Sequence, residues 1–124
     1  MLIVDDEIQT CRNLSQYFEE FDDVAVLTAV DGEEGLHALA TGRIDLAIID
    51  LRLPGLSGFD LIKISKERGD DVRFIIHTGS ADLALTEEFQ MLELADADLF
   101  LKPAGLDGLR SRVLELLGLD DLND

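Results

Sequence analysis

The sequence has one cysteine, two histidines, two prolines and no tryptophan. A lone Cys11 can close no disulfide within the chain and cannot build a thiolate metal cluster. Two histidines are too sparse for a zinc site. Basic residues are scarce too: 10 Lys and Arg stand against 27 Asp and Glu, a net charge of −17. Such a surface repels phosphate backbones and anionic headgroups. It argues against DNA, RNA or a membrane as direct partner and fits a soluble protein that meets cations or a basic protein surface. No apolar run reaches the roughly 18 residues of a membrane span. Residues 1–4 are too short for a signal peptide and lack a basic start. A cytoplasmic location is therefore expected. Neither GxxxxGK[ST] nor GxGxxG occurs, and the GLSG at 55–58 is not such a pattern, so no ordinary nucleotide cradle is expected.

Apolar side chains make up 47% of the 124 residues, enough for one domain with a core rather than a disordered chain. Their spacing alternates between two periods. Short apolar runs at 1–4, 24–30, 45–50, 72–77 and 98–101 read as strands. Between them, three- and four-residue spacing predicts helices over 7–21, 33–41, 59–68, 82–94 and from Leu106 to Leu117. Ile8, Cys11, Leu14, Phe18 and Phe21 form one face of the first helix, with Asp6 as its expected cap. Leu36, Leu39 and Ala40 are expected to point inward from the second. Ser80 or Asp82 is expected to cap the fourth. Pro54 and Gly55 make 51–57 a loop. Residues 1–117 form the expected domain, and 118–124 a polar tail.

Strands that are apolar on both sides need helices on both faces. The (βα)5 order thus predicts an α/β, doubly wound, five-stranded parallel sheet, with right-handed crossovers restricting its topology. Functional residues in such sheets gather at the carboxyl ends of the strands. Strand one ends at Asp5 and Asp6, strand three at Asp50, strand four at His77 and Thr78, and strand five at Lys102. Three carboxylates on one rim imply raised pKa values or a hard cation, and Mg2+ suits an all-oxygen set. A lysine and a hydroxyl beside them suggest phosphoryl chemistry, with one carboxylate as nucleophile.

The strings LIVDDE (2–7), IIDLRLPGLSG (48–58), HTG (77–79) and LKP (101–103), in this order on successive βα units, resemble the receiver domain of bacterial two-component response regulators. The resemblance implies a flavodoxin-like strand order, 2-1-3-4-5, and it implies that Asp50 accepts the phosphoryl group from a sensor histidine kinase or histidine phosphotransfer protein, and that water later removes it. It implies Mg2+ held by Asp6 directly, by Asp5 mainly through water, by Asp50 and by the backbone carbonyl of Arg52. Thr78 would bind a phosphoryl oxygen. Lys102 would pair with Asp50 and then with its phosphate, and Lys102–Pro103 would be cis. Pro54 and Gly58 would shape the loop beside the acceptor. The side chains of Arg52 and Ser80 would tune the lifetime of the phosphoryl group. An unknown downstream protein would read the change, and a homodimer is left open.

The sequence also departs from the pattern. Three positions before the lysine, where receivers usually carry a switching aromatic, stands Leu99. Its neighbour Phe100 faces the other way by alternation. Asp96-Ala97 replaces the usual Gly-Ala, and the first strand is short. These departures keep one alternative in view, a receiver-fold interaction module that does not depend on phosphate. A small Mg2+-dependent phosphatase is disfavoured, because residue 52 is arginine rather than a second acid–base aspartate. Cys11, Phe18, Phe21, Phe59 and Phe74 are expected in the core, His77 packed near the rim, His37 exposed, and Leu83 and Leu85 partly exposed.

Overall fold

In the computed structural model, residues 1–20, 24–79 and 85–119 are described. Five parallel strands lie in the order β2-β1-β3-β4-β5, as the resemblance implies. They are β1 (Leu2–Val4), β2 (Leu27–Ala29), β3 (Leu46–Ile49), β4 (Arg73–Thr78) and β5 (Leu99–Leu101). The helices are α1 (Ile8–Phe18), α2 (Gly32–Thr41), α3 (Gly58–Arg68), α4 (Leu85–Leu92) and α5 (Leu106–Leu117).

Strand side chains alternate between two cores. Leu2, Val4, Ala47, Ile49, Phe74 and Ile76 pack on one face with Leu39, Leu61, Ile62, Leu85 and Leu92 from α2, α3 and α4. Ile3, Leu46, Ile48 and Ile75 pack on the other with Cys11, Leu14, Phe18, Leu109 and Val113 from α1 and α5. Period-two strands sandwiched between helices are buried on both sides, which is why their sequences read as unbroken apolar runs.

The register delivers the strand ends together. Val4 pairs with Ile49, and Ile49 with Ile76. Backbone bonds from Asp50 N–H to the Val4 carbonyl (3.0 Å) and from Lys102 N–H to the Thr78 carbonyl (2.9 Å) continue the ladder to the rim.

Several elements differ from the sequence expectation, each for a local reason. Helix α1 starts at Ile8 and ends at Phe18; Glu7 is its N-cap residue, and Asp6 does not cap it. The carboxylate at this turn is that of Asp5, which accepts the Glu7 N–H at 2.9 Å. Ile8, in the first turn, is exposed rather than part of the buried face. Phe21 lies outside the described residues.

Strand β2 is only Leu27–Ala29, because it pairs solely with the three-residue β1, and Leu27 is 53% exposed on this sheet edge. Helix α2 begins at Gly32, where Asp31 accepts the Glu34 N–H at 2.7 Å. Ala38, not Ala40, packs on the core, and Ala40 is exposed. Helix α4 stops at Leu92 rather than at residue 94, and Glu93 adopts φ 58°, a left-handed conformation that ends the helical path. Leu85 is buried, not partly exposed, whereas Ser80, Asp82 and Leu83 lie outside the described residues. A single 3-10 turn, Asp96–Asp98, replaces the expected first residue of β5. Leu106, the first residue of α5, is exposed.

Phe18 and Phe74 are buried, Phe59 packs against the core, Cys11 is buried and His37 is exposed, all as expected. Among the described residues no helix is long and apolar enough to cross a membrane.

Candidate functional site

Asp5 and Asp50 follow the last residues of β1 and β3, and a ligand oxygen from each lies within 4.8 Å of the others in a set completed by Asp6. Asp5 is 2% exposed and Asp50 6%, whereas Asp6 faces solvent. Bringing buried carboxylates this close is unfavourable unless a cation or hydrogen-bond donors compensate. Both are present.

The Nζ of Lys102 donates to Asp5 Oδ2 at 2.8 Å, to Glu7 Oε1 at 3.0 Å and to Asp50 Oδ2 at 3.1 Å. Asp50 Oδ1 accepts the hydroxyl of the fully buried Thr78 at 2.9 Å and the Arg52 N–H at 3.0 Å. The two oxygens of Asp50 are thus divided, one facing hydroxyl and amide, the other facing ammonium. Asp5 is spoken for on both sides, with Oδ1 on the Glu7 N–H and Oδ2 on Lys102.

Burial pushes the Asp5 carboxyl above the usual carboxylate range, against the pull of Lys102 and of the Glu7 N–H. Burial alone would lower the Lys102 ammonium, but hydrogen bonds to Asp5, Glu7 and Asp50 outweigh it and raise its pKa. Lys102 therefore stays charged. His77, buried beside the rim on β4, is lowered chiefly by burial and secondly by Lys102, which favours the neutral ring. The Cys11 thiol donates to the Asp5 carbonyl at 3.3 Å, and burial raises its pKa. It pins the strand end as a thiol and is poorly nucleophilic.

The loop after β3 closes tightly on the end of that strand and on the start of α2. A Cβ on Gly58 would stand 2.1 Å from the Asp50 carbonyl oxygen, and one on Gly32 would stand 2.0 Å from the Leu56 carbonyl oxygen, so both positions require glycine. Pro54 is exposed in this loop, and Lys102–Pro103 is cis. Leu99 is half-buried against the core that holds α4, while Phe100 packs on the opposite face. Phe100 therefore does not stand in for an aromatic at position 99. Ser80 lies outside the described residues.

Two participants escape sequence reading. Glu7 joins the Lys102 cluster; its only signal is that it prolongs the acidic run of LIVDDE. Glu88, in the middle of α4, chelates the Arg52 guanidinium at 2.7 and 3.2 Å, and nothing in the local sequence marks it.

The class of protein is now defined: a flavodoxin-like α/β domain whose strand ends hold three carboxylates, a lysine and a hydroxyl. More narrowly, the chain belongs to the response regulator receiver domain family, whose family model matches residues 1–114. It is 32% identical over 117 residues to the transcriptional regulatory protein CiaR of Streptococcus pneumoniae, covering 94% of this chain and 50% of that one. It is 29% identical over 119 residues to sporulation initiation phosphotransferase F of Bacillus subtilis, covering 96% of this chain and 94% of that one. The chain thus spans about half the length of CiaR and nearly all of the sporulation phosphotransferase. The structure matches that of the response regulator TrrA of Thermotoga maritima in complex with Mg2+ and BeF at 28% identity and TM-score 0.79, covering 93% of this chain and 96% of that one.

Receiver domains of two-component systems bind Mg2+ at an acidic pocket and interact with histidine kinases or phosphotransfer proteins. The all-carboxylate donors of Asp5, Asp6 and Asp50 fit a hard cation that prefers oxygen and keeps several waters.

Proposed function

We propose that Asp50 is the phosphoacceptor of this receiver domain. The observation that carries the reading is the divided environment of its buried carboxylate, with Thr78 and an amide on one oxygen and Lys102 on the other. A carboxylate oxygen of Asp50 attacks the phosphorus of a phosphohistidine on a sensor kinase or phosphotransfer protein. The phosphorus–nitrogen bond breaks, and the imidazole leaves with the electron pair. Thr78 donates to one phosphoryl oxygen, and Lys102 transfers its ammonium from the Asp50 carboxylate to another. Both are held before the reaction, so little reorganisation is required when charge develops on the phosphoryl group.

Asp6, Asp50 and the Arg52 carbonyl are proposed as direct holders of Mg2+, with Asp5 acting mainly through water. The exposure of Asp6 supports its direct access to the ion. When bound, Mg2+ offsets negative charge on the phosphoryl oxygens. Water later cleaves the acyl phosphate, at a rate tuned by the side chains of Arg52 and Ser80. Gly58 permits the loop carrying Pro54 to close on the acceptor, and Leu99 occupies the position from which the state of the site is passed on. Residues 1–117 are proposed as the receiver and 118–124 as a polar tail, acting in the cytoplasm on an unknown downstream protein.

Intact-mass measurement after incubation with acetyl phosphate and Mg2+ tests the reading. A gain of about 80 Da, one phosphoryl group, is expected for the wild type and none for Asp50→Ala. An unmodified wild type would instead favour the phosphate-independent interaction module.

A further inference from the structure

Arg52 touches two elements at once. Its backbone N–H bonds Asp50 Oδ1 at 3.0 Å, inside the site. Its guanidinium lies on Glu88 of α4, 36 residues further along the chain, through two nitrogen–oxygen bonds of 2.7 and 3.2 Å. The two side chains are 30% and 19% exposed, so water screens the pair only in part. Glu88 sits between Leu85 and Leu92, the two buried anchors of α4, so the ion pair ties the middle of the helix to the residue two places beyond the acceptor.

The guanidinium fork fits a carboxylate or a phosphoryl group equally well in shape, and charge decides between them. A phosphoryl group carries about −1.5 to −2 charge near neutral pH, against −1 for Glu88. Phosphorylation of Asp50 would place that charge within two residues of Arg52. Lys102, Thr78 and the bound cation take up part of that charge, so the competition runs between the Glu88 carboxylate and the phosphoryl lone pairs that these partners leave open.

We propose that the Arg52–Glu88 pair is a phosphate-sensitive latch. Glu88 is a positioning residue that holds Arg52 and α4 in the resting arrangement, and a phosphoryl group on Asp50 draws the guanidinium away from it. The latch rests on the phosphoacceptor reading and extends it. Arg52 becomes the link through which charge in the site releases α4, in a chain whose position 99 carries leucine instead of an aromatic.

Linkage makes the latch testable. If a phosphoryl mimic opens the pair, loss of Glu88 must tighten binding of the mimic by the same coupling free energy. Beryllofluoride with Mg2+ is titrated into the full chain, and the amide resonances of Leu85–Leu92 are followed. Glu88→Gln is expected to bind roughly five-fold tighter, with its free-state α4 resonances displaced toward those of the loaded wild type. Glu88→Asp, which keeps the charge, should restore the wild-type direction. In Arg52→Gln the added Glu88→Gln change should produce no further tightening. Equal midpoints for wild type and Glu88→Gln, or α4 resonances unmoved by Glu88→Gln, would overturn the latch while leaving Asp50 as acceptor. If beryllofluoride binding is absent, or persists in Asp50→Ala, the acceptor reading falls and the latch falls with it.

Discussion

Among the described residues, buried carboxylates meet a cation at two places, and the two do opposite work. At the turn before β5, buried Asp98 bonds Arg112 Nε at 2.7 Å and the Ala95 N–H at 3.1 Å. Arg112 also lies 3.4 Å from the exposed Glu115, so among the described residues one buried carboxylate faces this cation, and a loop is fastened to α5. At the carboxyl ends of β1 and β3, one ammonium faces Asp5, Asp50 and Glu7, with Asp6 close by. The first arrangement sets one buried carboxylate against one cation. The second sets two, with the exposed Glu7 and Asp6 close by, a crowding of negative charge around Asp50 that a structural role alone does not require. The number of buried carboxylates that share a cation, rather than burial itself, separates the fastening from the site.

The largest test of that contrast is to delete each carboxylate. Asp50→Ala should abolish phosphoryl incorporation by intact mass. Asp98→Ala should keep incorporation and lower stability by roughly 2 kcal/mol in urea unfolding, because a hydrogen-bonded charge loses its partner. Lys102→Met should slow incorporation from acetyl phosphate roughly a hundred-fold, the usual cost of losing a donor aimed at developing charge. An unchanged rate would return Lys102 to the structural side of the comparison.

Mg2+ should raise the thermal midpoint of the wild type and of Asp98→Ala by the same amount, equivalent to about 2.7 kcal/mol at a hundred times Kd. Asp6→Asn should lose most of that gain. An equal gain in Asp6→Asn would exclude it as a ligand.

A smaller effect concerns pH. The Asp5 pKa is raised, chiefly by burial, so the folded chain holds that proton more tightly than the unfolded chain. Its contribution to stability is fully present below the ordinary carboxylate pKa and is lost as pH rises through the raised one. Without Mg2+, Asp5→Asn should therefore gain stability relative to wild type as pH climbs from the ordinary carboxylate pKa of about 3.9 toward neutrality. A difference that stays flat across the window would sink this account.

Glu7→Gln should have the least effect. Its side chain is 64% exposed, and removing an exposed ion-pair partner changes stability by less than about 1 kcal/mol.

Much of the fold was legible because strand and helix periods differ, and because strands buried on both faces must read as apolar runs. The same logic located Asp5, Asp6, Asp50, Thr78 and Lys102, each standing where an apolar run ends. The errors fell where a neighbour decides. The expected cap at Asp6 failed because Asp5 turns its carboxylate back onto the Glu7 N–H. Strand β2 was read too long because its extent depends on the short β1 beside it. Ala40 was placed inward, but it faces solvent, and the core takes Ala38 instead.

By itself, then, the sequence determined the element order, the two-sided sheet and the residues that reach the rim, since these follow from periodicity along one chain. Only the tertiary structure decided which charges share a partner. It set Lys102 among residues 52, 95 and 97 positions away, divided the two oxygens of Asp50, and joined Arg52 to Glu88. The physical reason is that ion pairs and hydrogen bonds need donor and acceptor about 3 Å apart, held to a few tenths of an ångström, between side chains far apart in sequence, and no periodic pattern encodes those distances.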